Sequence, residues 1–329
     1  MIEVRHLTKR YGNHNAVSDL SFTIDKGVIY GFLGPNGAGK STTMNIITGC
    51  LGATAGEVLI GGHSITDDPM KAKQLIGYLP EQPPLYMDMT PKEYLHFVAR
   101  AKGIAHQDMQ EQLLSVMDKT RITDVQNRLI RNLSKGYKQR VGIAQALLGN
   151  PEVIILDEPT VGLDPAQIID IRELIRELGK EHTIVLSSHI LSEVQAVCDS
   201  IMIISKGRLV ASDTAENLTT LFAGTTTLKM QVRANRTEVQ DLLSNIQGIT
   251  DACFAEIDEG VTAVDIKLLD DADIREELFF AFAQAGKPIL EMTRVKASLE
   301  DVFLELTQGD AKAQADLSEK LTEREDELP

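Results

Sequence analysis

A glycine-rich segment at residues 34–41 combines the residue types that can hold a polyphosphate. Its sequence, GPNGAGKS, fits the pattern G-x-x-x-x-G-K-[ST] and lies between an apolar run and a helical pattern. The glycines let backbone N–H groups close around phosphate oxygens, and the start of the following helix adds partial positive charge. We expect Lys40 to reach the β- and γ-phosphates of ATP and Ser41 to bind Mg²⁺. The predicted nucleotide-binding residues are Gly34, Pro35, Asn36, Gly37, Ala38, Gly39, Lys40, Ser41 and Thr42.

A second segment, VIILDEP at residues 153–159, places two carboxylates directly after a run of apolar residues. Such a run indicates a strand buried on both faces, and open parallel sheets bind ligands beyond the carboxyl ends of their strands. We expect Asp157 to hold Mg²⁺, partly through water, and Glu158 to act as the general base toward the attacking water. The alternative is a buried strand that ends in a solvated acidic turn, and the phosphate loop upstream argues against it.

A third segment, LSKGYKQR at residues 133–140, lies just before the strand that ends in the two carboxylates. It resembles LSGGQ, the signature sequence of the ABC ATPase family, with Lys135 in place of a glycine and Tyr137 in place of the glutamine. Ser134 and Gly136, the positions expected to face phosphate, match the family. Ser134 is also a favourable N-cap for the helix predicted to follow. The resemblance implies that the positive end of this helix faces ATP held by another subunit.

Further positions match the same family in the order of its motifs. Tyr11 resembles the aromatic residue that stacks on adenine, although an ordinary surface tyrosine is a fair rival. Gln82 resembles the glutamine that contacts Mg²⁺ and water, and His189, after a predicted strand, resembles the histidine at the γ-phosphate. The loop 162–164 resembles the one that crosses the dimer interface, with Val161 where serine is common. The resemblance therefore implies the catalytic residues Glu158, His189, Lys40 and Gln82, the metal ligands Ser41, Gln82 and Asp157, and the further nucleotide contacts Tyr11, Ser134 and Gly136.

The resemblance covers residues 1–220, and the pattern of this region predicts the elements that position the motifs. Short β-branched runs alternate with helical patterns, which favours an α/β fold with a mainly parallel sheet covered on both faces. The two earliest runs, 2–7 and 17–24, are expected to form an antiparallel β layer. The mostly helical stretch 92–127 is predicted to be an insertion between two parts of the nucleotide-binding core. Further strands are predicted at 28–33, 153–157, 183–187 and 201–204, and helices at 40–48, 135–148 and 165–178.

A change in pattern near residue 225 predicts a second, smaller α+β domain. Its runs follow the order strand, helix, strand, strand, helix, strand, which fits a ferredoxin-like βαββαβ domain. A further helix is predicted over 299–306. The segment 298–307 resembles the terminus of ABC-2 type ATPases, a branch that includes drug, gliding-motility and copper-site maturation systems. The predicted domains are 1–222 with a helical subdomain at about 85–145, then 225–308, and an acidic, flexible tail at 309–329.

Composition narrows the class of protein further. The 329 residues carry a formal net charge of −15, which argues against a basic surface that binds nucleic acid. Cys50, Cys198 and Cys253 are too far apart in sequence for a metal-binding motif, and reduced thiols in a cytosolic protein are expected. The first residues lack the apolar run of a signal peptide, and no apolar run approaches the roughly 20 residues of a membrane span.

One chain carries one phosphate loop and one signature segment. The resemblance therefore implies that two subunits, either a homodimer or a pair of related ATPases, complete the ATP sites. It also implies polytopic permease subunits that dock near 83–100 at the cytoplasmic face of the cell membrane, with Tyr86, Met87 and Met89 as candidate contacts. Export is favoured by analogy, whereas the cargo, the identity of the partner ATPase and the role of the second domain stay open.

Two other functions are compatible with the nucleotide motifs. A soluble ABC ATPase that acts on nucleic acid or ribosomes is the first. Such proteins carry a very long coiled coil between phosphate loop and signature, or a second cassette, and this sequence shows neither. A degenerate cassette that only scaffolds a partner is the second, and the intact Lys40, Asp157, Glu158 and His189 argue against it.

Overall fold

Contacts between residues divide the chain into two units, Met1–Thr214 and Ala215–Glu305. The division precedes the helix Ala215–Phe222, whose contacts group it with the second unit. The domain limit predicted at residue 222, from the change in sequence pattern near residue 225, assigns this helix to the first domain instead.

The computed structural model describes residues 1–222, 227–258, 260–268, 273–295, 299–300 and 303. The helix predicted over 299–306 lies largely outside this set, and the predicted acidic tail at 309–329 lies outside it entirely. Among the residues that are described, no helix combines the length and the apolar character that crossing a membrane requires.

Strands and helices alternate along the first unit, as the sequence pattern predicts. Its strands are β1 (Ile2–Tyr11), β2 (His14–Ile24), β3 (Ile29–Leu33), β4 (Ala55–Ile60), β5 (His63–Ser64), β6 (Ile76–Leu79), β7 (Val153–Asp157), β8 (Thr183–Ser188), β9 (Ser200–Ser205) and β10 (Arg208–Asp213). Its helices are α1 (Lys40–Ile47), α2 (Pro69–Gln74), α3 (Pro91–Ala101), α4 (His106–Lys119), α5 (Lys135–Leu147), α6 (Pro165–Gly179) and α7 (Leu191–Val197), with short 3₁₀ turns at Thr123–Val125 and Ile130–Asn132.

The central sheet of the first unit carries the nucleotide motifs. Its strand order is β10-β9-β3-β8-β7-β6, and every neighbouring pair is parallel except β9 and β10. β7 is buried at every position, which explains its continuous apolar sequence. Because β3, β8 and β7 are parallel neighbours, the segments that follow them meet at one edge of the sheet. The mainly parallel sheet predicted from the sequence is confirmed.

The predicted antiparallel layer is a separate sheet with the order β2-β1-β4-β5. β1 turns back at Gly12 and pairs with β2 in antiparallel register, with Ile2 opposite Ile24 at the far end. The inward residues of this layer share one apolar core with Phe32 of the central sheet and Met44 of α1. Helix α1 therefore shares one apolar core with both sheets, and the prediction of an antiparallel layer is confirmed.

Helix α5, which begins with the signature segment, packs tightly against the central sheet. Ser134 is its N-cap, and the serine hydroxyl accepts a hydrogen bond from the Tyr137 N–H at 3.3 Å. Near the other end, α5 approaches Gly77 of β6 so closely that a Cβ there would lie 2.2 Å from the Ala146 carbonyl oxygen. A side chain at position 77 would therefore separate the helix from the sheet.

Helix α3 holds the end of α5 through two polar contacts. The Lys102 ammonium, just beyond α3, donates to the Leu148 carbonyl at 2.7 Å, where the end of α5 leaves carbonyls without helical partners. The Tyr94 hydroxyl of α3 donates to the side-chain oxygen of Gln145. The helices α3 and α4 confirm the predicted helical character of residues 92–127.

The second unit is a small α+β fold. It comprises α8 (Ala215–Phe222), β11 (Thr227–Val232), α9 (Arg236–Leu243), β12 (Ile249–Asp258), β13 (Val261–Leu268), α10 (Arg275–Gln284) and β14 (Ile289–Val295). The strand order β12-β13-β11-β14, with every neighbouring pair antiparallel, is that of a ferredoxin-like βαββαβ fold and confirms the predicted class. Its apolar core includes Leu228, Met230, Val264, Leu278 and Phe282.

Replacing Gly77 by alanine is expected to lower the free energy of unfolding by about 1–3 kcal/mol, because the added methyl group overlaps the Ala146 carbonyl. Chemical denaturation of the two proteins measures the difference. The matched control is Gly52→Ala, at an exposed glycine with no atom within 4 Å of the added carbon, where a change below about 0.5 kcal/mol is expected. Equal stability of Gly77→Ala and wild type would contradict the close approach of α5 to β6.

Candidate functional site

The glycine-rich loop joins β3 to α1 at the carboxyl edge of the central sheet. Gly39 has a φ of 104°, which other residues rarely adopt, and a Cβ there would meet the Ala16 carbonyl oxygen at 2.5 Å. Helix α1 begins directly afterwards at Lys40, so the unpaired N–H groups of its first turn lie next to the loop. This arrangement supplies backbone donors for an anion.

The side chain of Lys40 is buried and folds back over the loop. Its ammonium donates to the carbonyls of Gly34 at 2.7 Å and Pro35 at 3.3 Å, and it lies 3.7 Å from Glu158 Oε1. Burial lowers the pKa of Lys40, and the Glu158 and Asp157 carboxylates oppose that shift. The ammonium thus has weak carbonyl partners that the oxygens of a polyphosphate can replace with stronger, charged ones.

Two oxygen donors suited to Mg²⁺ lie together where α1 begins and β7 ends. The Ser41 hydroxyl is 3.3 Å from Asp157 Oδ1, and the Ser187 hydroxyl of β8 donates to the same carboxylate oxygen. Such hard oxygen donors fit Mg²⁺, which binds one or two protein ligands together with phosphate oxygens and water. No group of three or more His, Cys, Asp or Glu side chains is arranged for metal binding in the described part of the chain.

Glu158 occupies the sharp turn that follows β7. Its φ is 49°, only 7% of the residue is exposed, and its N–H donates to the Ser187 hydroxyl at 2.9 Å. A positive φ at a residue other than glycine stores strain, which proteins keep where a side chain must be aimed. The Oε2 atom of Glu158 lies 3.0 Å from His189 Nδ1 in the loop after β8. A carboxylate and an imidazole, two groups that can each accept a proton, are thereby placed side by side.

A cavity of about 510 Å³ lies over the phosphate loop. The predicted site residues that line it are Asn36, Gly37, Gly39, Lys40, Ser41, Thr42, Glu158 and His189. Lining residues that sequence reasoning did not include are His14, Ala16, Glu81 and Val161. His14 and Ala16 reach the cavity through the pairing of β2 with β1, and the only sequence signal for them is their place just after the Tyr11–Gly12 turn.

Gln82 and Tyr11 are not part of the cavity wall. Gln82 is exposed, and its neighbour Glu81 lines the cavity instead. Tyr11 is 49% exposed at the turn between β1 and β2, and the Lys9 ammonium lies 5.3 Å from the centre of its ring. The Tyr11 ring is therefore partly exposed with the Lys9 ammonium over one face, beside the strand that carries His14.

Ser134 and Gly136 line a different cavity, of about 320 Å³, at the start of α5. Within the described residues, none lines both this cavity and the one over the phosphate loop. Ser134 is exposed, so the N-terminal end of α5 is accessible at the surface. A single chain therefore carries two separate parts of the predicted ATP site.

The two departures from the family signature each make a local contact. The Tyr137 hydroxyl donates to Asp124 Oδ2 at 2.7 Å, and this carboxylate raises the pKa of the tyrosine. The Lys135 ammonium lies over Gly162, where a Cβ would be only 2.2 Å away. The substitutions thus tie the start of α5 to the 3₁₀ turn at Thr123–Val125 and to the loop before α6.

Sequence comparison agrees with these features. The family model described as "ABC transporter" matches residues 17–161. The uncharacterized ABC transporter ATP-binding protein YhcH of Bacillus subtilis is 37% identical over 95% of this chain and 97% of its own length. The bacitracin transport ATP-binding protein BcrA of Bacillus licheniformis is 34% identical over 94% of this chain and 98% of its own length.

Solved structures share the fold of the first unit. A structure of an ATP-binding subunit of an ABC transporter is 34% identical, with a TM-score of 0.61, and covers 68% of this chain and 93% of that one. The dimeric post-hydrolysis structure of the cassette MJ0796, bound to ADP and Pi, is 26% identical, with a TM-score of 0.59, and covers 65% of this chain and 98% of that one. Similarity along nearly its whole length to ATP-binding proteins of transporters, together with the motifs gathered at one sheet edge, shows that this chain belongs to the ABC transporter family and is an ABC-type ATPase.

Proposed function

We propose that two copies of this chain close around two ATP molecules and that hydrolysis reopens the pair, which drives separate permease subunits of an exporter. The observation that carries the proposal is the division of the site within one chain. The phosphate loop and Glu158 border one cavity, whereas Ser134 and Gly136 border another. In a two-fold pair, the signature of each copy faces the phosphate loop of the other, so both sites are completed at once.

The residues around the phosphate loop then have distinct roles. The Lys40 ammonium leaves the loop carbonyls for the β- and γ-phosphates. Ser41 and Asp157 hold Mg²⁺, which when bound neutralises phosphate charge. Glu158 takes a proton from the attacking water, and the adjacent His189 steadies that carboxylate and contacts the γ-phosphate.

Two exposed residues complete the nucleotide contacts in this proposal. Tyr11, which is about half exposed, stacks on adenine. Gln82, in the loop after β6, contacts the metal and the attacking water. Their exposure supports these roles, because a nucleotide can reach both side chains from solvent.

The γ-phosphate connects ATP binding to closure of the pair. ATP bound at one phosphate loop presents its terminal phosphate to Ser134 and to the N–H groups that begin α5 of the other copy. ATP therefore favours the closed pair, and loss of the terminal phosphate removes that preference. The dimeric arrangement of MJ0796 with ADP and Pi supports pairing of this kind of cassette.

A group of exposed apolar side chains supports docking on a permease. Tyr86, Met87 and Phe97, here called the aromatic patch, are each nearly half exposed, and the ring centres of Tyr86 and Phe97 are 5.3 Å apart. Clustered apolar side chains at a surface mark a site for a protein partner. We infer that the patch docks on permease subunits at the cytoplasmic face of the cell membrane. Export is the inferred direction because relatives that match along nearly the whole chain include a bacitracin transport protein and the linearmycin resistance protein LnrL.

Glu158→Gln is expected to lower the ATPase rate by at least about 100-fold, because an amide cannot take a proton from water. The variant is also expected to accumulate as an ATP-bound dimer, measured by size-exclusion chromatography with MgATP. The control is Glu57→Gln, at an exposed carboxylate of β4, which is expected to turn over like wild type. Rapid hydrolysis by Glu158→Gln would exclude Glu158 as the general base.

A mixing experiment tests the shared site. Lys40→Ala disables the phosphate-loop half and Ser134→Arg blocks the signature half, so each variant alone is expected to be nearly inactive. Co-expressed in equal amounts, they are expected to regain about a quarter of the wild-type ATPase rate, because half of the pairs are mixed and each mixed pair has one intact site. A chain with both substitutions is the control, since no pairing of it contains an intact site. Absence of any recovery, or full activity of a monomeric wild-type chain, contradicts the paired site.

Transport coupling is tested by capturing the tagged chain from detergent-solubilised membranes. A polytopic membrane protein is expected to co-purify and to stimulate ATP hydrolysis when the two are reconstituted in vesicles. Replacing Tyr86 and Phe97 by alanine is expected to abolish both effects, whereas Met70→Ala, at an apolar side chain of α2 that is 71% exposed, preserves them. Co-sedimentation with ribosomes or DNA, without a membrane partner, would favour the soluble alternative.

A further inference from the structure

The geometry points to Glu193 as a positioning residue that joins the loop carrying Glu158 to the residue before His189. The inference rests on the proposed roles of Glu158 and His189 in ATP hydrolysis and adds a part that lies outside the nucleotide-binding motifs. Glu193 belongs to α7, and its side chain does not line the nucleotide cavity. It therefore acts through the residues it holds, without touching ATP.

A single oxygen of Glu193 accepts two buried hydrogen bonds. The Thr160 hydroxyl donates to Oε2 at 2.5 Å, and the Ser188 hydroxyl donates to the same atom at 3.1 Å. Ser188 in turn accepts from the Ile190 N–H at 3.0 Å. The three polar residues of this cluster are 6%, 5% and 1% exposed, so water cannot take the place of either hydroxyl. Hydrogen bonds to a charged acceptor in such surroundings are strong and directional.

The burial of Glu193 is costly for stability. Across the described residues, the Glu193 carboxylate contacts the Thr160 and Ser188 hydroxyls and forms no ion pair with a lysine, arginine or histidine. A buried carboxylate without a cation loses hydration that hydroxyl donors only partly replace, and an apolar side chain of similar size would give a more stable core. The presence of a glutamate here is therefore better explained by what its oxygen holds in place.

The two hydroxyl donors adjoin the catalytic pair. Thr160 is two residues beyond Glu158, in a turn that the Val161 N–H closes by donating to the Glu158 carbonyl at 3.2 Å. Ser188 directly precedes His189. Holding Thr160 and Ser188 on one atom fixes the separation of the two loops. It thereby maintains the 3.0 Å contact between Glu158 Oε2 and His189 Nδ1.

Helix α7 gives Glu193 a rigid base. Leu191, Val194 and Val197 are buried along its inner side. Val194 packs on Gly31 of β3, where a Cβ would lie 2.1 Å from the valine Cγ1 atom. Such close packing prevents the helix from shifting toward the sheet. Helix α7, packed on the central sheet, consequently holds the loops after β7 and β8 through Glu193.

Steady-state kinetics of the full-length chain test this role. Glu193→Ala releases both hydroxyls and is expected to lower kcat at least about ten-fold, with ATP affinity changed less than about two-fold, because a small misplacement penalises chemistry more than binding. Glu193→Gln keeps an acceptor oxygen for the hydroxyls and is expected to recover most of the rate. Thr160→Val removes one of the two bonds and is expected to give an intermediate kcat.

Thr120→Val is the control for the loss of a buried hydroxyl. It deletes the bond from Thr120 to the Val116 carbonyl at 2.7 Å and is expected to lower Tm without changing kcat. Wild-type kcat in both Glu193→Ala and Thr160→Val, with only Tm lowered, would overturn the positioning role. If Glu193→Ala does not fold, the comparison of Thr160→Val with Thr120→Val decides. A wild-type chain that binds ATP without hydrolysing it would instead overturn the proposed function, and the inference with it.

Discussion

The nucleotide site depends on the buried ammonium of Lys40, which needs hydrogen-bond acceptors with or without a bound nucleotide. Lys40 is enclosed, so the loop carbonyls and Glu158 replace the water that would otherwise solvate its charge. The carboxylates at the end of β7 balance that charge only because β3, β8 and β7 run parallel and end at the same edge. Without that strand order, a charge would be left unpaired inside the protein. The buried charge of Lys40 and the parallel order of β3, β8 and β7 therefore depend on each other.

Much of this edge could be predicted because its determinants are contiguous in the chain. The phosphate loop is a short glycine pattern, β7 is an unbroken apolar run, and Ser134 is an N-cap followed by a helix. The class of the second unit was also predictable, since the order of its strands and helices restricts it to few topologies. In each case the deciding interactions join residues close together in sequence or repeat with a regular period.

The features that could not be predicted depend on pairs of residues far apart in the chain. His14 enters the cavity wall through the register of β1 against β2, and the course of the chain after β6 turns Glu81 toward the cavity. The Tyr137 hydroxyl meets Asp124 only once the 3₁₀ turn packs beside α5. One hydroxyl that converges on Glu193 comes from the turn after β7 and the other from the last residue of β8, and no local pattern marks that meeting point. Such contacts follow from tertiary packing, which motif spacing does not encode.

The contacts between α3 and α5 connect the aromatic patch to the helix that begins with the signature segment. Tyr94 and Lys102 join α3 to the last turn of α5, while Phe97 of the aromatic patch projects from α3 itself. The opposite end of α5 begins at Ser134, beside the second cavity. In the proposed transporter, these contacts would pass a movement of the patch from α3 to α5, and a movement at the Ser134 end of α5 would reach the patch by the same contacts.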